Sequence, residues 1–334
     1  MTTTQMTSSF PWDELSAPRG RGEFVTQFIP QDDNPKRRPV FWARSWRNQP
    51  ALLVEYDAAS WTRATLPSFK NILVQETGQE AQDKGTLAIE LMDPNREANE
   101  LFFKVCIDIV ETLQKVPADE TRLACIYRLE RWSAFLKASR PKLTGEQQKG
   151  LIAELRFLQR DMIGVHGPSG ALMGWTGPER DARDFSYGQV FVEVKSKRSS
   201  AHQEIVVSSE GQLNTNASER LFLYVAEINS ASAETKGAFT IADVVKEVEA
   251  ELGSPIQCEL LVSKLATAGY FEEDDYSDSL WSEGITSYYE VRDGFPRLCS
   301  GNIAPGVRSV SYHVDLNFCD EFLIGREDVL KSME

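Results

Sequence analysis

Two carboxylates and one amine lie close together in the stretch from Asp184 to Lys195. Gly188-Gln189, in the middle of this stretch, fits a two-residue type II′ turn, which takes glycine at its first central position. If the strands pair outward from that turn, Asp184 stands opposite Glu193, with Cβ atoms roughly 5 Å apart. Strand alternation puts Glu193 and Lys195 on one face. The spacing therefore predicts that Asp184, Glu193 and Lys195 converge, beside a valine face that packs into a core.

Two carboxylates this close repel each other unless a positive charge lies between them. Oxygen ligands favour Mg²⁺, which commonly takes one or two protein carboxylates and keeps several waters. Such an ion activates water and stabilises charge that develops on a phosphate, and the ammonium of Lys195 would assist both. The alternative is an ionic ladder on an exposed sheet face, and the hairpin alone leaves both interpretations open.

A further acidic residue, Glu154, precedes the hairpin on a predicted helix. Thr144-Gly145-Glu146-Gln147 fits a capping box and Gly164 suits the C′ position, so we expect the helix to end at about Ile163. Glu154 falls on the side of the leucine stripe that faces the core. A carboxylate there is costly unless it is paired or binds a cation. Alone, this position favours a salt bridge to an arginine; beside the hairpin, it would complete a metal shell.

The elements around these residues follow a recognisable order. A helix is followed by a predicted strand at about Ala171–Trp175, the hairpin, a short helical turn and a strand at Leu221–Ile228. Here the sequence resembles the PD-(D/E)XK nuclease superfamily, which carries D…ExK at these places. The matching residues are Gly150–Leu155, Trp175–Pro178, Asp184-Phe185, Glu193-Val194-Lys195 and Gln212-Leu213. More narrowly, it resembles a bacterial family of PD-(D/E)XK motif proteins found in phage-defence gene clusters. One departure is that Arg183, not proline, precedes Asp184.

The resemblance implies an α/β (α+β) fold with a restriction-endonuclease-like core, in which helices flank a mixed sheet. It implies a Mg²⁺-dependent DNA nuclease, with Mn²⁺ as a substitute. Asp184 and Glu193 would be metal ligands, Glu154 an accessory acid and metal ligand, and Lys195 the catalytic lysine. Gln212 would position water or phosphate.

A second interpretation is a non-catalytic subunit that keeps the nuclease fold and binds DNA or a partner protein. Other defence-system proteins are expected partners of either form. A homodimer would suit the cutting of both DNA strands, but the sequence does not show one.

The overall charge argues against a protein that coats nucleic acid. The 334 residues carry a formal net charge of -14, whereas phosphate contacts need local positive charge. A nuclease is still compatible, because it needs cations only along the substrate track. Arg183, Lys197 and Arg198, with Arg180 nearby, would give the site a positive rim.

A second group of cations lies between Asn34 and Arg47. This stretch has no acidic residue, and aromatic side chains lie among its one lysine and four arginines. Arginines contact phosphate and aromatic rings stack on bases, so Arg44 and Arg47 are candidates for nucleic-acid binding. The favoured alternative is an exposed strand with buried aromatic side chains.

The chain divides by pattern into a leader (1–20), a β-rich and helical module (21–140), a nuclease-like core (141–230) and a C-terminal region of helices and strands (231–334). In the second part, strands are predicted at 51–56, 71–75 and 86–92, and helices at 99–116 and 120–136. No signal sequence or membrane span is expected. Five scattered cysteines favour a cytoplasmic protein with reduced thiols.

Overall fold

The structure is a computed structural model that describes residues 9–30, 39–57, 64–77, 84–137, 141–179, 181–199, 202–299, 303–304, 306–308 and 310–334. Its residues form two compact units, Met1–Ala138 with Ser254–Ser263 and Ser139–Gly253 with Lys264–Glu334. Among the helices that the structure describes, none combines the length and apolar character that a membrane span requires.

The first unit is an antiparallel sheet with two helices. Its strands are β1 (Phe24–Phe28), β2 (Val40–Ser45), β3 (Pro50–Asp57), β4 (Ile72–Thr77) and β5 (Lys84–Leu91), in the spatial order β1-β2-β3-β5-β4. Helices α1 (Arg96–Leu113) and α2 (Thr121–Phe135) follow. Apolar residues of β3 and β5, such as Leu52 and Ile89, share one core with Phe102 and Ile109 of α1. The three strands and two helices predicted between 51 and 136 are confirmed.

The second unit is built on a mixed sheet, as the family resemblance implies. Its strands are β6 (Phe185–Tyr187), β7 (Val190–Lys197), β9 (Arg220–Ser230), β10 (Trp281–Glu290) and β12 (Leu323–Ile324), in the order β12-β10-β9-β7-β6. Strands β7 and β9 are parallel, and the other neighbours are antiparallel. A separate two-stranded sheet pairs β8 (Glu204–Val207) with β11 (Tyr312–Asp315). The expected α/β fold class is therefore confirmed.

Helices accompany this sheet along the chain. They are α3 (Gly145–Phe157), α4 (Ile163–Gly174), α5 (Ile241–Ala250), α6 (Pro255–Ala268), whose residues from Lys264 onward belong to this unit, and α7 (Arg326–Met333). Phe157 of α3 packs on Phe185 of β6 and Tyr224 of β9, with ring centroids 4.9 and 5.0 Å apart. Helix α3 therefore lies on the face of the sheet that carries Phe185 and Tyr224.

The beginning of α3 follows its sequence signal. Oγ1 of Thr144 accepts the amide of Gln147 at 3.3 Å, and Oε1 of Gln147 accepts the amide of Thr144 at 2.9 Å. This reciprocal pair is the predicted capping box. The predicted end is wrong, because Gly164 lies inside a continuing helical segment in which a π-helical turn, Leu158–Met162, joins α3 to α4.

The strand predicted at 171–175 is also wrong. Ala171–Gly174 is the last turn of α4, and Trp175 alone pairs with Phe185, in an isolated bridge. A short apolar run is compatible with a strand or with a buried helix, and periodicity does not separate them. Pro168 favours the helix, since proline is common in the first turn of a helix. It follows Gly167, whose φ of 66° interrupts the helical backbone.

Candidate active site

The hairpin that carries the predicted chemistry forms in the expected register. Tyr187 pairs with Val190 and Phe185 with Val192, and Gly188 has a φ of 62°, which favours glycine. Asp184 directly precedes β6, and its Oδ2 accepts the amide of Val194 at 2.8 Å. That bond fixes the carboxylate of Asp184 beside Glu193, as the turn predicted.

Glu193 lies deeper than the sequence indicated. Strand β7 is flanked by β6 and β9, and the residues paired with Glu193 and Lys195 on β9 are the buried Leu223 and Val225. Paired residues share a face, so the polar face of β7 is continued by apolar side chains. Glu193 is accordingly only 1% exposed. The valine face, with Val192 fully buried, packs into a core as expected.

Two side chains hold the amine of Lys195. Its Nζ lies 2.8 Å from Oε1 of Glu193 and donates to Oε1 of Gln212 at 3.1 Å. The same oxygen of Gln212 also accepts the amide of Ser208, at 2.7 Å. Gln212 therefore fixes Lys195 from the loop after β8, and its role toward water or phosphate stays a prediction.

Glu154 reaches the site from α3, where it is half-buried and its chain neighbours Ala153 and Leu155 are buried. Its Oε2 accepts the indole N–H of Trp175 at 2.7 Å. Trp175 is fully buried, and its indole also orients a carboxylate of the site. In sequence, Trp175 stands at the end of an apolar run and in a segment that resembles the PD-(D/E)XK nucleases, and neither feature indicates a hydrogen bond to Glu154.

Gly177 brings the backbone against two of the carboxylates. The amides of Thr176 and Gly177 donate to the carbonyl oxygen of Asp184 at 2.8 and 3.0 Å. A Cβ atom on Gly177 would lie 2.8 Å from Oδ1 of Asp184 and 2.9 Å from Oε2 of Glu154. One point in space is therefore close to both carboxylates, so Asp184 and Glu154 border the same small volume.

The three acids hold protons more tightly than usual. Burial and the charge of Asp184 raise the pKa of Glu154 to about 8, although the Trp175 hydrogen bond and Lys195 oppose this. Burial raises the pKa of Asp184 to about 6, against the Val194 amide and Lys195. Burial, followed by the charge of Asp184, raises the pKa of Glu193, and Lys195 lowers it. Such shifts are expected when like charges share a desolvated volume.

A divalent cation fits this set of donors. Oε2 of Glu193 is buried and has no hydrogen-bond partner among the described residues, an arrangement that is costly unless a cation compensates it. Within the described part of the chain, no three His, Cys, Asp or Glu side chains are already spaced as metal ligands. Mg²⁺ needs only one or two protein carboxylates, so Asp184 and Glu193 would suffice.

A comparison with models of protein families found a match over most of the chain. A family described as "Putative PD-(D/E)XK family member (DUF4420)" matches residues 9–317. The chain belongs to this family. The match includes every acidic residue of the site and the complete Glu193-Val194-Lys195 motif. Comparisons with curated proteins and with solved structures found no match.

The sequence places three cationic residues near the site of this PD-(D/E)XK family member. They differ in how exposed and how firmly paired their side chains are. Nη2 of Arg183 donates to the carbonyl oxygen of Asn214, and its guanidinium lies 4.4 Å from the ring centroid of Phe191. Nζ of Lys197 pairs with Glu227 at 2.7 Å. Arg198 is 53% exposed and 3.4 Å from Glu146. Arg180 lies outside the described residues.

The cations of the second predicted group belong to the first unit. Arg44 donates to the carbonyl oxygen of Trp12 at 2.6 Å, and Arg47 pairs with Glu90 at 3.2 Å. Trp42 is buried in the core of that unit, as expected for the alternative of a strand with buried aromatic side chains. Lys36, Arg37 and Arg38 lie outside the described residues. Nucleic-acid binding by Arg44 and Arg47 stays a prediction.

Proposed function

We propose that this PD-(D/E)XK family member is a Mg²⁺-dependent nuclease that hydrolyses phosphodiester bonds in DNA. The observation that carries the proposal is the meeting of Asp184 and Glu193 beside the amine of Lys195, with Glu154 reaching the same place from α3. This residue set suits phosphodiester hydrolysis, because it combines oxygen ligands for a divalent cation with a neighbouring ammonium.

Each side chain has a distinct role in this proposal. Asp184 and Glu193 would hold the cation, which would activate a water and stabilise the negative charge that develops on the phosphate oxygens. The ammonium of Lys195, fixed between Glu193 and Gln212, would assist the attacking water and stabilise the phosphate. Glu154 contributes a further carboxylate at the edge of the site. Mn²⁺ has the same preference for oxygen ligands and should substitute.

The negative charge of the chain limits how DNA can approach. With a net charge of -14, the protein repels a polyanion at long range. Binding must therefore use local cations, of which Arg198 is the most exposed of the three beside the site. We propose Arg198 as the first candidate for a phosphate contact near the site. A role in anti-phage defence, with partner proteins in the cytoplasm, rests on the family resemblance.

Cleavage of plasmid DNA tests the function directly. The full chain with Mg²⁺ or Mn²⁺ should nick or cut supercoiled plasmid, and Lys195→Ala and Asp184→Ala should reduce the rate by at least about 100-fold. Lys236→Ala and Asp278→Ala change exposed residues of the same types in the second unit, and should keep the wild-type rate. Equal cutting by all five proteins would exclude the assignment.

A non-catalytic subunit is the second candidate. It is favoured by the absence, among the described residues, of a preformed set of three metal-ligating side chains, and by the pairing of Lys195 with Glu193. Calorimetric titration with Mn²⁺ separates the two. A site that disappears in Asp184→Ala supports the nuclease, whereas no binding at millimolar concentration supports the subunit that retains only the fold.

A further inference from the structure

The short segment Trp175–Glu179, which links α4 to the approach to β6, hydrogen-bonds two acidic residues of the site, Glu154 and Asp184. The indole N–H of Trp175 donates to Oε2 of Glu154 at 2.7 Å. The amides of Thr176 and Gly177 donate to the carbonyl oxygen of Asp184, and Oγ1 of Thr176 donates to the carbonyl oxygen of Arg183 at 2.9 Å. One stretch of chain therefore holds Glu154 and Asp184 at once.

This segment is itself anchored by a buried lysine. Nζ of Lys264, on α6, donates to the carbonyl oxygen of Trp175 and to Oε1 of Glu179, both at 2.6 Å. Lys264 is only 5% exposed, and a buried ammonium is costly unless it is paired and hydrogen-bonded. Its two bonds pair it with a carboxylate and a carbonyl oxygen, and they fix both ends of the segment relative to Lys264.

Gly177 sets how closely the segment approaches the acids. An added Cβ would come within 3 Å of an oxygen of each carboxylate, at 2.8 Å for Asp184 and 2.9 Å for Glu154. Those distances are shorter than a carbon and an oxygen tolerate without bonding, so a side chain here would push both carboxylates away. Its φ does not lie in the left-handed region, so close approach rather than backbone conformation calls for glycine.

We propose that the Trp175–Glu179 segment, anchored by Lys264, is a positioning element that fixes Glu154 and Asp184 for a divalent cation, with Trp175 acting through its indole N–H on Glu154. The inference rests on the proposed function, because it assigns the segment a role in the same cation site. Neighbours that hydrogen-bond to a ligating side chain typically change metal affinity 10- to 100-fold when they are altered.

A double-mutant cycle in the full chain tests the part played by Trp175. Mn²⁺ affinity is measured by calorimetry for wild type, Trp175→Phe, Glu154→Gln and the double variant. Trp175→Phe keeps an aromatic ring and removes the N–H, so we expect about a 10-fold loss of affinity. Because Trp175 acts through Glu154, the double variant should bind no more weakly than Glu154→Gln alone. If the double variant loses as much affinity as the two single variants together, the two effects are independent and the role assigned to Trp175 is wrong.

Nuclear magnetic resonance tests the hydrogen bond between Trp175 and Glu154 without metal. In ¹⁵N-tryptophan-labelled protein, the indole resonance of Trp175 is identified by its absence from Trp175→Phe. It should move in Glu154→Gln, because the charged acceptor of its hydrogen bond is replaced by a neutral amide. An unmoved resonance would contradict the contact on which the inference rests.

A glycine pair tests the approach of the backbone. Gly177→Ala should lower Mn²⁺ affinity at least about 10-fold while the melting temperature stays close to that of wild type. Gly164→Ala is the control, since a Cβ at Gly164 meets nothing within 4 Å. If wild type binds Mn²⁺ and Gly177→Ala binds it equally well, the positioning role is wrong and the proposed function stands. If wild type binds no Mn²⁺, both proposals fail.

Discussion

Lys195 and Glu193, two residues apart on β7, form an ion pair of 2.8 Å in which the carboxylate is almost fully buried. A carboxylate of this kind is poorly compensated, because Oε2 of Glu193 has no hydrogen-bond partner among the described residues. Sites that are arranged to receive a ligand commonly sacrifice stability in this way. The metal-free protein should therefore be less stable than a variant in which a neutral side chain replaces Glu193.

Replacing the buried acid tests that consequence. Glu193→Gln should raise the free energy of unfolding of the metal-free protein by about 1 to 2 kcal/mol at pH 8, since the amide carries no charge to desolvate. The same variant should lose Mn²⁺ binding. Urea denaturation in the presence of EDTA measures the first effect and calorimetry the second. A destabilised variant would show that the pair with Lys195 outweighs the cost of burial.

The pKa of Glu154 gives stability a defined dependence on pH. Its native value of about 8 lies above the ordinary value of 4.5, so between these the folded protein binds a proton that the unfolded chain has released. Stability must then fall as pH rises through this window. We expect Glu154→Gln to remove part of the fall in unfolding free energy measured from about pH 5 to about pH 8. Identical pH profiles for wild type and variant, in EDTA, would contradict the shift.

Metal binding should show the opposite dependence. A cation takes the place of protons on its carboxylate ligands, and the pKa of Asp184 is about 6 and that of Glu154 about 8. Mn²⁺ affinity should therefore rise across this range, by up to about 10-fold per pH unit for each proton released. Calorimetry in two buffers of different ionisation enthalpy counts those protons. In Glu154→Gln the count should fall, and an unchanged count would place the released protons elsewhere.

The first unit offers a test that is independent of the site. Arg122 is almost fully buried and makes two bonds to Glu76, at 2.5 and 2.9 Å, while the hydroxyl of Tyr56 donates to the same carboxylate at 2.5 Å. Arg122→Ala leaves that acid without its cation and should lower the free energy of unfolding by about 3 to 5 kcal/mol. Chemical denaturation of the full chain measures the loss.

The matched control is another arginine of the same unit. Arg96 is 81% exposed and pairs with Glu100 one helical turn away, at 3.1 Å. Pairs of this kind contribute about 0.3 to 0.5 kcal/mol, so Arg96→Ala should have almost no effect. Similar losses in the two variants would show that burial of Arg122 does not set its contribution.

Local signals predicted much of what the structure shows. Gly188-Gln189 specified the register of the hairpin, and Thr144 with Gln147 specified the start of α3, because both depend on residues a few positions apart. Asp184 and Glu193 came together for the same reason. The mistaken strand at 171–175 shows the limit, since an apolar run does not distinguish a buried helix from a strand.

Relationships between distant segments were not predictable. The depth of Glu193 is set by Leu223 on β9, thirty residues later in the chain, and pattern alone does not reveal which strand becomes its neighbour. The contact of Trp175 with Glu154 depends on where the chain goes after α4. Tryptophan in an apolar run indicates a core residue, so the sequence did not predict that the indole N–H of Trp175 would bond to a site carboxylate.

The strand order has a consequence for the synthesis of this protein. The acids come from residues 154–193, whereas the sheet that holds them is completed by β9, β10 and β12, as late as Ile324. A nascent chain that has left the ribosome only as far as β7 has the reactive groups without the neighbouring parallel strand. We therefore expect the cation site, and with it the nuclease activity that we propose, to be acquired only after translation has passed these strands.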